Sequence, residues 1–186
     1  MLSPYGAEPD IFFRDDSPLP ADFRIVFAGQ VCLRKGLRTL LDALTLAGQK
    51  EWRVDFYGPM QSESSQDLAD YQGATPLHFH GAVSQPALAT GLRAGSVLVL
   101  PSLEEGFGLV VPQALNCGIP AIVSDRVGGK DLVRHRENGS IIPVANTEAL
   151  AAELEWWSKN PLRICECHGW EEPARLLINA SQARLS

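Results

Sequence analysis

The sequence has few cysteines, no long apolar run and no cluster of basic residues. Its 4 cysteines among 186 residues are too sparse for a small scaffold held together by disulfides. No stretch approaches the roughly 18 consecutive apolar residues expected of a membrane-spanning helix. Acidic residues outnumber basic ones by 22 to 16, and the longest basic run is Arg34-Lys35. The composition therefore argues against a protein that binds nucleic acid.

The start of the chain also lacks a targeting signal. Residues 1–6 contain neither the basic nor the apolar segment of a secretory signal peptide. We therefore expect a soluble, cytoplasmic protein.

Motifs for metal ions are incomplete. Cys165 and Cys167 lie two positions apart, but no second Cys/His pair stands at a spacing typical of zinc ligands. His78 and His80 share one face of a predicted strand, yet no carboxylate or third ligand is evident near them. For this pair, a packed position on a core or edge strand is favoured over a metal site. We expect no metal ion.

Short apolar runs alternate with helical patterns from Arg24 onwards. Runs of four to six apolar residues predict strands, and leucines at helical spacing predict helices. Ser84 and Thr147 are the expected N-caps of two helices. The predicted strands are Arg24–Gly29, Trp52–Gly58, Leu77–Gly81, Val97–Leu100, Pro120–Ser124 and Ser140–Pro143. The predicted helices are Lys35–Ala47, Ser84–Arg93, Leu109–Cys117, Lys130–Arg134 and Thr147–Trp157.

This alternation predicts an α/β fold with a parallel sheet of about six strands and helices on both faces. The sheet domain is expected over residues 23–160. Residues 1–22 contain four of the 13 prolines and are expected to form an extended lead-in. Residues 161–186 are expected to form a helical tail.

Two loops at the carboxyl ends of the strands carry the candidate chemistry, because ligands of such sheets bind there. After the first strand, Arg34 and Lys35 precede a helix, where a cation opposes the helix dipole. That loop alone leaves two interpretations open, an anion-binding site or a solvated basic pair.

The loop after the fourth strand, residues 101–109, is the most distinctive segment. Gly106 and Gly108 flank Phe107 directly before a helix, so that backbone amides can approach a ligand closely. The pattern is not a dinucleotide fingerprint, because Val111 stands where the third glycine should be. We therefore expect no nicotinamide or flavin cofactor.

Six short motifs occur in a fixed order between residues 3 and 160. They are Gly29…Arg34-Lys35-Gly36, Phe79-His80-Gly81-Ala82-Val83, Pro101-Ser102…Glu105-Gly106-Phe107-Gly108-Leu109, Ala114-Leu115…Gly118-Ile119-Pro120, Gly128-Gly129 and Asn138-Gly139. The set resembles the C-terminal half of a glycosyltransferase family 4 enzyme with the GT-B fold, which is a Rossmann-like domain. Ser3 to Gly6 is similar to the segment by which that family's chain leaves its N-terminal domain. The tail, with Trp170 and a helix near Ala174–Ala180, resembles the family's terminal crossing helix.

The resemblance implies an enzyme, a retaining glycosyltransferase of the hexosyltransferase type. In this family the C-terminal half holds a nucleoside-diphosphate sugar, and the N-terminal half holds the acceptor. The implied partners are therefore that donor and an N-terminal acceptor domain, which this chain does not contain. Peripheral membrane contact is expected only through that domain, and the isolated half is expected to be inactive or weakly active. The absence of any Asp-x-Asp motif fits metal-independent chemistry.

The family's site residues carry over by position. Lys35 is implied to contact the diphosphate, helped by Arg34, whereas Gln30 stands where many members have a phosphate-binding arginine. Glu105 is implied to hold the donor sugar, and with Lys35 it forms the implied catalytic pair. Gln113 replaces the second carboxylate of the family's E-x7-E pattern, which binds the ribose. The other implied donor-binding positions are Gly29, Gly58, Ala82, Val83, Gly106, Phe107, Gly108 and Leu109.

Two alternative functions stay open at this point. A nucleotide-sugar 2-epimerase shares the GT-B fold, although the Glu105-to-Leu109 loop fits a transferase better. A non-catalytic module that binds a nucleotide sugar is also compatible with a chain that holds only the donor half. Epimerisation without an acceptor would identify the first, and binding without turnover would identify the second.

Overall fold

The computed structural model describes residues 6–165, 168–169 and 171. The described residues contain one sheet of six strands, in the order β3-β2-β1-β4-β5-β6, and every neighbouring pair is parallel. The strands are Phe23–Ala28 (β1), Trp52–Tyr57 (β2), Leu77–Gly81 (β3), Val97–Leu100 (β4), Ala121–Ser124 (β5) and Gly139–Ile142 (β6). The predicted α/β fold with a Rossmann-like parallel sheet is confirmed.

Helices cover both faces of this sheet. The α-helices are Leu37–Ala47 (α1), Ser65–Ala69 (α2), Gln85–Arg93 (α3), Val110–Asn116 (α4) and Thr147–Lys159 (α5). Short 3-10 helices cover Leu33–Lys35, Ser62–Ser64 and Gly128–Leu132. Helices α1 and α5 pack together on one face, and α3 and α4 share the other.

The core follows from the alternation of side chains along each strand. Ile25 and Phe27 of β1 pack with the leucines of α1, while Val26 and Ala28 pack against α3 and α4. Both sets are at most 4% exposed, so the central strand is apolar on both faces. A continuous apolar run is the sequence signature of such a strand.

The structure matches the predicted strands to within one residue and shifts some helix boundaries. Helix α1 begins at Leu37, because Gly36 has a φ of 80° and ends a preceding 3-10 helix. The predicted helix near Lys130–Arg134 is instead the 3-10 helix Gly128–Leu132. Ser84 caps α3 as expected, but the cap of α5 is Asn146 rather than Thr147, since the Asn146 side chain accepts a hydrogen bond from the Ala149 amide at 2.8 Å.

The lead-in and the segment after α5 pack against the α3 and α4 face. Phe12 is 1% exposed and Ile164 is 6% exposed, and both belong to that side of the core. The Arg163 guanidinium donates to the carbonyls of Gly95 and Arg93 at 3.1 and 2.6 Å. The predicted helix near Ala174–Ala180 lies outside the described residues, so the division into three segments stays a prediction.

Candidate functional site

A cavity of about 890 Å³ lies over the carboxyl ends of β1, β4 and β5. The chain runs outward from β1 to β3 and then returns through α3 to β4, which pairs with β1 on its other side. This reversal of strand order leaves a crevice between the loops that follow β1 and β4, the usual ligand position in such sheets. The lining residues are Ala28, Gly29, Lys35, Leu100, Glu105, Gly106, Phe107, Gly108, Leu109, Val110, Gly128, Lys130, Asp131 and Leu132.

The first wall joins the loop after β1 to the loop after β4. The Leu103 amide donates to the Arg34 carbonyl at 2.8 Å. A Cβ on Gly36 would lie 2.0 Å from the Pro101 carbonyl oxygen, so only glycine permits this approach. The two loops are therefore held in contact by their backbones.

This contact brings Lys35 and Glu105 together as an ion pair in the cavity. Their side chains are only 15% and 13% exposed. Burial weakens screening by water, so each charge acts strongly on its partner and on any charged ligand beside it. The two residues implied as the catalytic pair are thus neighbours in space, although 70 positions separate them in the chain.

The second wall is the glycine-rich loop itself, held by the turn that follows β5. The Gly128 amide donates to the Gly106 carbonyl at 3.1 Å, and the Gly129 amide donates to the Phe107 carbonyl at 2.6 Å. Gly108 has a φ of 78°, in the left-handed region that glycine favours. Backbone hydrogen bonds therefore fix the loop in front of α4.

The third wall, formed by Lys130, Asp131 and Leu132, was missed by the sequence reasoning. The Lys130 ammonium donates to the Asp125 carbonyl at 2.7 Å, which holds its side chain beside the cavity. The Gly128-Gly129 pair directly before these residues was the available signal. It did not indicate that the following side chains face the same cavity as Lys35.

Other predicted residues lie beside the cavity rather than in its lining. The Arg34 guanidinium donates to the Glu104 carbonyl at 3.2 Å, on the exposed side of its loop. Gln30, Gly58, Ala82 and Val83 follow the carboxyl ends of β1, β2 and β3 and do not line the cavity.

Backbone hydrogen bonds connect the carboxyl ends of β2 and β3 to the cavity. The Gly29 amide donates to the Tyr57 carbonyl at 2.8 Å, and the Gly58 amide donates to the Gly81 carbonyl at 2.7 Å. A Cβ on Gly58 would lie 2.0 Å from the Gly29 carbonyl oxygen. The carboxyl ends of β1, β2 and β3 thus form one continuous edge.

Gln113 lies on α4, outside the cavity lining, and is 8% exposed. Its Nε2 donates to the Gln85 Oε1 at 3.3 Å. Gln85 is the first residue of α3 and follows Val83 by two positions. The structure therefore places Gln113 beside the start of α3, which follows the Ala82-Val83 segment implied to border the base.

His80 has a carboxylate partner that the sequence did not reveal. Its Nε2 lies 2.8 Å from Asp55 Oδ1, and its ring stacks on Tyr57 with centroids 4.4 Å apart. The Arg53 guanidinium donates to both Asp55 oxygens at 2.9 Å. Burial opposes ionisation of Asp55, but the hydrogen bonds from Arg53 and His80 outweigh it and lower the pKa of this carboxyl. The expectation of no nearby carboxylate was wrong, because β2 and β3 become neighbours only in the sheet.

The family assignment follows from a sequence model of a protein family, whose match covers the sheet and all three cavity walls. The model for the family described as glycosyl transferases group 1 matches residues 22–160. The chain belongs to this family. Its β1, β4 and β5 loops are therefore the cavity loops of a group 1 glycosyl transferase.

Curated relatives of this group 1 glycosyl transferase are longer proteins. A D-inositol 3-phosphate glycosyltransferase of Streptomyces avermitilis is 31% identical over 180 residues, which cover 84% of this chain and 39% of the relative. The chain spans less than half the length of the curated relatives it matches.

Solved structures share its fold. Sucrose-phosphate synthase from Thermosynechococcus elongatus aligns with a TM-score of 0.78 and 22% identity, over 100% of this chain and 52% of that one. The C-terminal domain of the glycosyl transferase group 1 protein LpcC from Francisella tularensis aligns with a TM-score of 0.70 and 18% identity. The alignment covers 95% of this chain and 98% of that domain. Anabaena Alr3699/HepE in complex with UDP and glucose aligns with a TM-score of 0.66 and 18% identity, over 81% of this chain and 45% of that one. These alignments identify the domain as one half of a GT-B glycosyltransferase fold.

No helix among the described residues of this group 1 glycosyl transferase is both long enough and apolar enough to span a membrane.

Proposed function

We propose that this group 1 glycosyl transferase domain binds a nucleoside-diphosphate sugar and serves as the donor half of a retaining, family 4 glycosyltransferase. The observation that supports this most is the Lys35–Glu105 ion pair, held in the cavity at the reversal of strand order. The Lys35 ammonium can bind an anionic diphosphate, and the Glu105 carboxylate can accept hydrogen bonds from sugar hydroxyls. The complex of Anabaena HepE with UDP and glucose supports this class of ligand.

In this proposal the donor lies along the edge of the sheet. Its diphosphate contacts Lys35 and the backbone of Gly108 and Leu109, and its sugar contacts Glu105. The ribose and base extend from the cavity towards Val83 and Gln113, and Gln113 bonds to Gln85, two positions after Val83. Gly29 lines the cavity at this edge, and the missing side chain of Gly58 lets its backbone lie against the Gly29 carbonyl.

The proposed chemistry needs positive charge where the diphosphate departs. The Lys35 ammonium can stabilise the charge that develops on that leaving group, and nearby backbone dipoles can assist. The acceptor, held by a separate N-terminal domain, would then receive the sugar with its anomeric configuration kept. Lys35 and backbone amides, rather than a metal ion, carry this role in the proposal.

Calorimetry with UDP, GDP and ADP tests the proposal directly. At least one nucleotide is expected to bind, with its affinity unchanged by EDTA. Lys35→Ala is expected to weaken binding by about 1.5–3 kcal/mol, the range for hydrogen bonds to charged groups. Lys50→Ala, which removes an exposed lysine outside the cavity, is the matched control. Equal affinities of Lys35→Ala and the parent, or no binding by the parent, would overturn the proposal.

A further inference from the structure

Two lysines line the cavity in the part of the chain that the structure describes, and their surroundings differ. Lys35 is paired with Glu105, so the positive charge of one is offset by the negative charge of the other. Lys130 instead donates to a neutral acceptor, the Asp125 backbone carbonyl, at 2.7 Å. Among the described residues, no carboxylate forms an ion pair with it.

The charge balance of the cavity therefore depends on Lys130. With Lys35 and Glu105 cancelling, the remaining charged side chains of the lining are Lys130 and the exposed Asp131. A diphosphate carries at least two negative charges at neutral pH, and Lys35 already shares its charge with Glu105. Asp131 opposes such an anion, and Lys130 attracts it.

Lys130 is also well placed and chemically suited to reach an anion. It follows β5, whereas Lys35 follows β1, and the glycine-rich loop after β4 lies between these strands in the sheet. Its ammonium has three N–H donors, of which the Asp125 carbonyl takes one. The backbone before it is tied to Gly106 and Phe107, so its position follows that of the loop.

We propose that Lys130 is a second phosphate-binding residue, which contacts the diphosphate of the donor from the wall opposite Lys35. This inference rests on the proposed function, because it assumes that the ligand of the cavity is a nucleoside diphosphate. In this arrangement the two lysines bind the anion from both sides. Lys35 can then keep part of its interaction with Glu105 while the donor is bound.

Binding measurements on charge-neutralising variants test this role. Lys130→Gln keeps a side-chain N–H donor for the Asp125 carbonyl but loses the charge, and it is expected to weaken UDP, GDP or ADP binding about tenfold, the lower end for hydrogen bonds to charged groups. Asp131→Asn is expected to tighten binding roughly twofold, as for a partly screened charge. Lys50→Gln, far from the cavity lining, controls for net charge.

Binding of a nucleoside, which has no phosphate, tests whether Lys130→Gln acts through its lost charge or through a changed shape of the cavity. Lys130→Gln is expected to leave binding of the corresponding nucleoside unchanged, and raising the salt concentration is expected to narrow the gap between variant and parent. Equal losses for nucleoside and diphosphate, or no loss for the diphosphate, would overturn the role of Lys130.

Inorganic pyrophosphate distinguishes this inference from the proposed function. If pyrophosphate binds and Lys130→Gln weakens it about tenfold while no nucleotide binds, the anion site stands and the nucleotide proposal fails. If nucleotides bind and Lys130→Gln alters neither ligand, the proposed function stands and the inference fails. If neither pyrophosphate nor any nucleotide binds to the parent, both fail.

Discussion

Asp55 is the residue whose ionisation is most directly tied to the fold. It is 3% exposed on β2, beside the edge strand β3, and both Arg53 and His80 bond to it. Because its pKa is lowered in the folded chain, its ionised form stabilises the protein above the pKa of an unfolded aspartate, about 3.9. That contribution is lost as the pH falls through the lower pKa of the folded state.

Asp55→Asn is therefore expected to lower the free energy of unfolding by about 1–3 kcal/mol at pH 7, the cost of an unsatisfied buried polar group. The difference from the parent should shrink as the pH falls below about 4, because Asp55 of the unfolded parent then takes up a proton that the folded chain, with its lowered pKa, does not yet bind. Urea unfolding between pH 3 and pH 7 measures both effects. Asp16→Asn, at an exposed position, is the control. A difference that stays constant with pH would contradict this account.

Gln113 offers a second prediction at the scale of a single residue. Gln113→Glu is expected to tighten nucleoside-diphosphate binding severalfold, because a charged acceptor bonds more strongly to ribose hydroxyls than a neutral one. The Gln85 amide can turn and donate to the new carboxylate, so the buried contact survives. Calorimetry with a 2′,3′-dideoxy nucleotide should show no gain. A gain that persists without the hydroxyls would show that position 113 does not contact the ribose.

At the scale of elements, the glycine-rich loop depends on its contact with the 3-10 helix Gly128–Leu132. A Cβ on Gly128 would lie 2.2 Å from the Gly106 carbonyl oxygen, and that backbone atom cannot rotate away. Gly128→Ala is expected to lower the free energy of unfolding by about 1–3 kcal/mol, as overpacking does.

Gly106→Ala is the matched control on the other side of the same hydrogen bond. No described atom lies within 4 Å of a Cβ built there, so its stability should stay within about 0.5 kcal/mol of the parent. Urea unfolding of both variants makes the comparison. Equal destabilisation of the two variants would contradict the account based on the close approach of Gly128 to the Gly106 carbonyl.

At the scale of the whole molecule, the chain is expected to fold alone but to transfer little sugar. The family model covers the sheet domain and its cavity, whereas curated relatives are more than twice as long. Orienting two substrates can contribute roughly 7–11 kcal/mol of barrier lowering, and the proposed function assigns the acceptor to a separate N-terminal domain. Cooperative thermal unfolding should accompany negligible transfer from UDP- and GDP-sugars. Turnover at about 1 per second or faster would contradict the half-enzyme interpretation.

Local sequence was sufficient to place the strands of the sheet. All six strands were predictable to within one residue, and the clearest are β1, β4 and β5, which contain continuous apolar runs such as Ile25 to Ala28 because both of their faces are covered. Helix α2 was not predictable, since Ser65–Ala69 is short and lacks an apolar stripe. The start of α1 was misplaced because Gly36 has a left-handed conformation and packs against the Pro101 backbone, which is distant in the sequence.

The candidate site divides in the same way. Lys35, Glu105 and Gly106 to Leu109 could be named from motifs, because each motif lies within one loop. Lys130 and the Asp55–His80 pair could not, because each depends on which strands are neighbours. Strand order is a property of the packed sheet, in which β5 lies beside β4 and β2 beside β3. Residues far apart in the chain share one cavity only because parallel strands place all their carboxyl ends at the same edge.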